Sequence, residues 1–197
     1  SASPRRKEIL EELGFSFQVI PSNFDESLID EKDVRRLVMK LASEKARAVA
    51  KQFSSKQNVW VLGADSLVEV NGEVLGKPKD ILDAKRMIRL LSGKSHEGFT
   101  GLCLLNAQSG LSYSKCAQST VKLRELSESE VVDFVFKTHP YDKAGGYKFT
   151  ELVEFGFVES LEGESSNLMG LPQKEFLEMA AKAGLQRRTP AALQPRD

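Results

Sequence analysis

The sequence predicts a mixed α/β fold, a twisted sheet with flanking helices, and three observations carry that prediction. Helix-period and strand-period segments follow one another in mixed order, which argues against a purely parallel doubly wound sheet. Asn71-Gly72, set between "SLVEV" and "EVL", marks a tight hairpin, because both turn positions require positive φ. No internal repeat and no clear linker interrupts the chain. Its 197 residues suit one medium domain or two small lobes around a shared cleft. With 41% hydrophobic and 28% charged residues, the chain can bury a proper core and is not globally disordered.

Each element has a local signature. Ser3 and Pro4 read as an N-cap and first helical residue, "RRKEILEEL" as a short amphipathic helix, and Gly14 as its terminator. "FSFQVI" alternates up to Pro21 and reads as a strand. A long helix is predicted over 30–53, since Val34, Leu37, Val38, Leu41, Ala48 and Val49 recur at helical spacing. After the hairpin, Asp80 opens a helix through "AKRMIRLL" that closes at Gly93. Two long strands, 99–106 and 111–123, flank "AQSG". Ser127 and Glu130 stand at capping-box spacing ahead of "VVDFVF". The Gly-rich loop "YDKAGGYKF", a strand in "FGFVESL" and a last helix over 172–183 complete the domain, assigned to 1–184, with 185–197 as a mobile tail.

Charge and cysteine content exclude several classes of function. Lys plus Arg equals Asp plus Glu at 28 each, and basic residues are scattered, so capture of long nucleic acid or of an anionic membrane is not expected. A polyanionic small ligand would need a local cluster of cations instead. No apolar run approaches the length of about 20 residues that spans a bilayer, and no signal peptide is recognised. An N-terminal targeting segment ahead of "SASPRR" stays open, as does a preceding strand. Cys103 and Cys116 are expected to be reduced and buried.

A few residues resist explanation by packing. Asp65 lies inside "VWVLGADSLVEV", an otherwise apolar β-run, where an unpaired carboxylate is costly. Lys45 falls within the apolar stripe of the long helix; it either snorkels along its stem or aims an ammonium into a cleft. Lys77, in Gly-Lys-Pro, belongs to a turn or to an anion site, and the absence of G-x-x-x-x-G-K-[ST] excludes a P-loop. Arg5 and Arg6 occupy a first helical turn, where the macrodipole disfavours cations unless an anion is bound there. They otherwise form a solvated patch. Glu26, in "SNFDES", sits in a loop that is ordinarily solvated. Hard oxygens suit Mg²⁺, which usually holds one or two carboxylates plus substrate phosphates.

"SASPRRKEIL", "FDE", "SEKA", "GADS", "GKP", "LSGKSHEGFTG", "DKAGGY" and "NLMGLP" occur in this order over nearly the whole chain. Together they resemble the Maf family of nucleoside triphosphate pyrophosphatases. The resemblance implies a two-lobed α/β fold around a central cleft, similar to the inosine triphosphatase architecture. It further implies a homodimer, a cytoplasmic location and a divalent cation (Mg, Mn or Co). Asp65 matches the acid that accepts a proton or activates water next to the metal, and Glu26 matches a second metal-binding acid. Ser3, Arg6, Lys45 and Lys77 match the groups around the triphosphate, and the Ser1 and Ser3 hydroxyls would help hold a phosphate at the helix N-terminus. The implied reaction is attack of water on the α-phosphorus, releasing a monophosphate and pyrophosphate. Family members are also linked with septum formation, so a non-catalytic role in cell division is the alternative.

Base preference divides the family, and this chain departs from both patterns. At the positions that read Arg, Thr and Gln in dTTP/UTP pyrophosphatases it has Arg5, Ser66 and Thr150. The 7-methyl-GTP subgroup has Trp, Gln and Glu there. "GKP", Lys148, "FTGLCLLNAQSG" and "LEGESSNLMGLP" nonetheless lean toward 7-methyl-GTP, with Glu151 able to replace the missing acid if its loop shifts. His96 and His139 are read as structural.

Overall fold

The computed structural model describes residues 3–53 and 58–187. It contains an antiparallel sheet of five strands in the order β2-β1-β3-β4-β5, with β1 Trp60–Val70, β2 Glu73–Leu75, β3 Ser95–Asn106, β4 Ser112–Leu123 and β5 Val158–Glu162. The Asn71-Gly72 turn forms as predicted, with φ of 52° and 78°, and joins β1 to β2. Strand β2 pairs only with the end of β1, from Val68 to Val70. Among the described residues, nothing pairs with the outer edge of β1 ahead of Val68.

Helices cover both faces. Helix α1 (Pro4–Glu12) begins at Ser3 and Pro4, and α2 spans Val34–Ala50, capped by the Asp33 side chain on Arg36 N. It is shorter at each end than its apolar periodicity implied. Helix α3 (Ile81–Leu91) is capped by Asp80, and α4 (Glu128–Thr138) carries the Ser127–Glu130 capping box. His139 ends α4 in the left-handed region at φ 46°. Helix α7 (Gln173–Lys182) closes the domain. Two short helices were not anticipated, α5 (Phe149–Glu154) and α6 (Ser165–Leu168). "FSFQVI" does not form a strand: residues 15–20 have no regular structure, because alternation alone supplies no pairing partner for the backbone.

Alternation along β1 sends odd residues toward α2 and even ones toward the other helices. On the α2 side, Val61, Cys103 and Leu105 pack with Ala42, Ala46 and Val49. On the opposite side there are two clusters. Ala64, Leu102 and Leu104 meet Ile9 of α1 and Phe176 and Met179 of α7. Val68, Val70, Val121 and Leu123 meet α3, α4 and Leu152 of α5. Leu185, assigned from sequence to the tail, packs on the first of these, while 188–197 lie outside the described residues. Cys103 and Cys116 are both free thiols; Cys103 is buried and Cys116 only partly so.

Candidate active site

Along the unpaired edge of β1 runs a cleft of about 1190 Å³. Ser3, Arg5 and Arg6 from the start of α1, Glu26, Lys45 from α2, Asp65 and Ser66 from β1, Lys77, and Lys148 all line it. The predicted residues from Ser3 to Lys148, scattered over 146 positions of sequence, thus share one hollow; Thr150 is the exception, and Ser1 lies outside the described residues.

Two glycines bring Lys45 within reach of Asp65. A Cβ on Gly63 would stand 2.0 Å from the Ala42 carbonyl oxygen, and one on Gly101 would stand 2.3 Å from that of Val38. The backbone of α2 therefore lies directly against β1 and β3. Gly101 is the cross-strand partner of Asp65. Lys45, about one turn past Ala42 and two past Val38, places Nζ 2.5 Å from Asp65 Oδ1 and 2.7 Å from Glu26 Oε1. The ammonium is aimed into the cleft, which decides between the two readings left open by its position in the stripe.

Asp65 is 8% exposed. Burial pushes its carboxyl above the ordinary value, against the opposing pull of Lys45 and, more weakly, of Arg6. Glu26 occupies a one-turn 3₁₀ segment, Glu26–Leu28. The neighbouring Asp25 caps that turn, accepting from Ser27 N at 3.0 Å and Ser27 Oγ at 2.7 Å, so the two adjacent acids have different tasks.

On the other side of β1, Arg6 donates from Nε to the Gly170 carbonyl at 2.7 Å and from Nη2 to Ser66 Oγ at 3.0 Å. Burial lowers its pKa, with Asp65 opposing that shift. Ser66 Oγ lies 2.9 Å from Thr100 Oγ1, and Thr100 donates to the Asn167 carbonyl at 3.0 Å. Asn167 is held in turn by donating to Gly98 O and Ser119 Oγ. Thr100, Asn167 and Gly170 also line the cleft, and no sequence reading assigned them a task. The segments "GFTG" and "NLMGLP" contain them, but only the folded sheet shows that they brace Arg6. Arg5 Nη1 is buried with no hydrogen-bond partner among the described residues.

At the far end, Gly145 and Gly146 both adopt φ 72°, and Gly145 N donates to Gly76 O, joining the Lys77 turn to the segment before α5. Tyr147 stands on the cleft and is hydrogen-bonded through its hydroxyl to His96 Nε2 at 2.9 Å. His96 is 1% exposed, and burial lowers its pKa to about 4, so it is neutral and structural. Thr150 does not line the cleft: its Oγ1 is buried without a partner. Glu151, one residue on, does line it and accepts from Lys148 N at 3.3 Å. The turn of α5 presents residues 148 and 151 on one side and rotates 150 away.

Among the described residues no three His, Cys, Asp or Glu side chains form a metal-binding group. Glu26 and Asp65 supply two hard carboxylate groups in a cleft that Arg6, Lys45 and Lys77 also line. That donor set fits a divalent ion that takes its remaining ligands from substrate phosphate and water. No helix among the described residues is long and apolar enough to cross a membrane.

Comparison with known proteins bears directly on this site. Residues 1–183 match the model of the family described as Maf-like protein. A dTTP/UTP pyrophosphatase of Syntrophus aciditrophicus (strain SB) is 39% identical over 184 residues, covering 93% of this chain and 88% of that protein. One from Anaeromyxobacter sp. (strain Fw109-5) is 40% identical over 93% of this chain and 87% of its own. A third, from Methanosarcina barkeri (strain Fusaro / DSM 804), is 39% identical over 94% and 92%.

Proposed function

Because the chain belongs to the Maf-like protein family, we propose that it is a nucleoside triphosphate pyrophosphatase. It would convert a nucleotide and water to a monophosphate and pyrophosphate. The observation that carries this reading is the meeting of Arg6, Lys45 and Lys77 with Glu26 and Asp65 in one cleft. A site for a neutral or cationic ligand has no use for those cations.

In this reading Asp65 takes a proton from a water as its oxygen bonds to the α-phosphorus. The bond from that phosphorus to the bridging oxygen breaks, and pyrophosphate leaves with the electron pair. Burial raises the proton affinity of the Asp65 carboxyl in the metal-free protein. Arg6, fixed by Gly170 and Ser66, and Lys45 and Lys77 hold the phosphate oxygens and offset the charge that grows on them. Glu26 and Asp65 would hold the divalent cation, which when bound neutralises phosphate charge and orients the leaving group.

For the base, the relatives' names favour dTTP and UTP over the 7-methyl-GTP lean. Arg5, with its unpartnered Nη1, and the Lys148–Glu151 pair are the groups proposed to read it. A homodimer belongs to the same proposal, with sedimentation velocity as its test; so does a cytoplasmic location. Pyrophosphate release from dTTP, UTP, CTP and 7-methyl-GTP, with and without Mg²⁺, tests the function. Turnover of dTTP or UTP that needs the metal is expected. No release from any of them would leave a binding protein, and fastest release from 7-methyl-GTP would restore the other preference.

A further inference from the structure

Lys45 stands between the two carboxylates proposed to hold the metal. Its Nζ lies 2.7 Å from Glu26 Oε1 and 2.5 Å from Asp65 Oδ1, bridging the two carboxylates. A Mg²⁺ bound to carboxylate oxygen sits about 2.0–2.1 Å away and demands near-octahedral geometry. An ammonium lodged between the two carboxylates and a divalent cation held by them repel each other at such distances and compete for the same oxygens, so each disfavours the other. Lys45 has somewhere to go, because its long stem rises from α2 into the same cleft as Arg6 and Lys77. The side chain is only 18% exposed, so its charge is poorly screened while it stays.

We propose that Lys45 is an internal counter-ion that keeps the Glu26–Asp65 pair closed to divalent metal until a nucleotide's phosphates draw the ammonium away. The inference rests on the assignment of Glu26 and Asp65 to the metal, and it adds an order of events. Without nucleotide, metal must displace a bridging ammonium. With nucleotide, the phosphate oxygens take the ammonium, and the two freed carboxylates complete the cation's ligands. Metal and nucleotide therefore bind with positive coupling, and each strengthens the other by the same factor. The device also gives Asp65 a partner in the resting protein, where an unpaired buried carboxylate would be costly.

The test is Mn²⁺ titration of the full chain, read from the loss of the free-ion electron paramagnetic resonance signal, without nucleotide. Lys45→Met and Lys45→Gln should each bind Mn²⁺ about tenfold more tightly than the parent, within the ordinary range of coupling between sites. Adding Glu26→Gln to Lys45→Met should erase that gain. Circular dichroism establishes that the variants are folded, and Lys45→Gln carries the test if Lys45→Met is not. Unchanged or weaker Mn²⁺ binding in the Lys45 variants overturns the proposal. A gain that survives Glu26→Gln also overturns it, because the ion would then lie elsewhere. Pyrophosphate release by the parent, measured in parallel, keeps the two readings apart. Its absence defeats the catalytic proposal alone, whereas intact turnover with unchanged Mn²⁺ affinity defeats only this one.

Discussion

At the scale of single residues, Asp65 and His96 are buried for opposite reasons. Asp65 must ionise to act as a base, yet burial raises its pKa. In the metal-free protein Asp65 should therefore take up its proton above the 3.8 of an ordinary aspartate, visible as a carboxyl titration by NMR that Asp65→Asn removes. Asp65→Asn should lower kcat by at least about 10²–10³, by analogy with the loss of one electrostatic contact. It should not lower the melting temperature, since the shift shows that the environment penalises the charge on balance. Normal turnover by that variant would remove Asp65 from the mechanism. His96 is an unprotonated structural pin on Tyr147. An unfolded histidine takes up a proton below about 6.5, the folded one only near 4. Its contribution to stability is thus complete above pH 6.5 and lost between 6.5 and 4. At about 1.4 kcal/mol per unit the loss approaches 3 kcal/mol. Urea unfolding at a series of pH values should show a slope in that window that His96→Gln flattens.

At the scale of elements, the site depends on how closely α2 approaches the sheet. Gly63 has no space for a methyl group, since the contacted atom is the Ala42 backbone oxygen at 2.0 Å. Gly63→Ala must push α2 outward, at a cost of about 3 kcal/mol, the upper part of the overpacking range. The same displacement separates Lys45 from Asp65. Denaturant unfolding should record the lost stability and a pyrophosphate assay a loss of activity. A variant with parental stability would mean that α2 can move freely. The short helix α5 is the second element that matters. By turning Thr150 inward and Glu151 outward, it puts Glu151 rather than Thr150 on the cleft, where Glu151 is proposed to read the base. Glu151→Gln should accordingly change the ratio of kcat/KM between dTTP and 7-methyl-GTP, whereas Thr150→Ser should leave that ratio alone.

At the scale of the whole molecule, the α2 cluster and the α1–α7 cluster share β1 and β3 across the two faces of the sheet, and the α1–α7 cluster and that of α3, α4 and α5 both draw on β1. The assignment of a single domain is thus proposed to hold thermodynamically. Calorimetry should show one transition, with its calorimetric enthalpy equal to the van't Hoff value. Two resolved transitions would indicate lobes that fold separately. The net charge of zero conceals a cleft rich in cations. Since exposed charges are screened by salt, KM for a triphosphate should rise with ionic strength while kcat changes little.

Much of the fold was legible from local chemistry. The Asn71-Gly72 turn, the Asp80 cap, the Ser127–Glu130 capping box and the α2 stripe all report interactions within a few residues. Asp65 and Lys45 were recognisable as misplaced charges, because a charge in an apolar context is conspicuous wherever its partner lies, whereas Glu26, in an ordinarily solvated loop, was singled out only by the family resemblance. The reading failed where the outcome depended on distant chain. Residues 15–20 alternate like a strand but have no neighbour to pair with, and the α5 turn set which of Thr150 and Glu151 faces the cleft. The brace from Arg6 through Ser66 and Thr100 to Asn167 joins residues 161 positions apart, and no local pattern announces it. The sequence by itself determined the elements and the unusual charges, since both follow from nearest neighbours and the cost of burial. Only the tertiary structure decided which charges meet, because distance across a packed sheet is set by side chains that sequence order does not bring together.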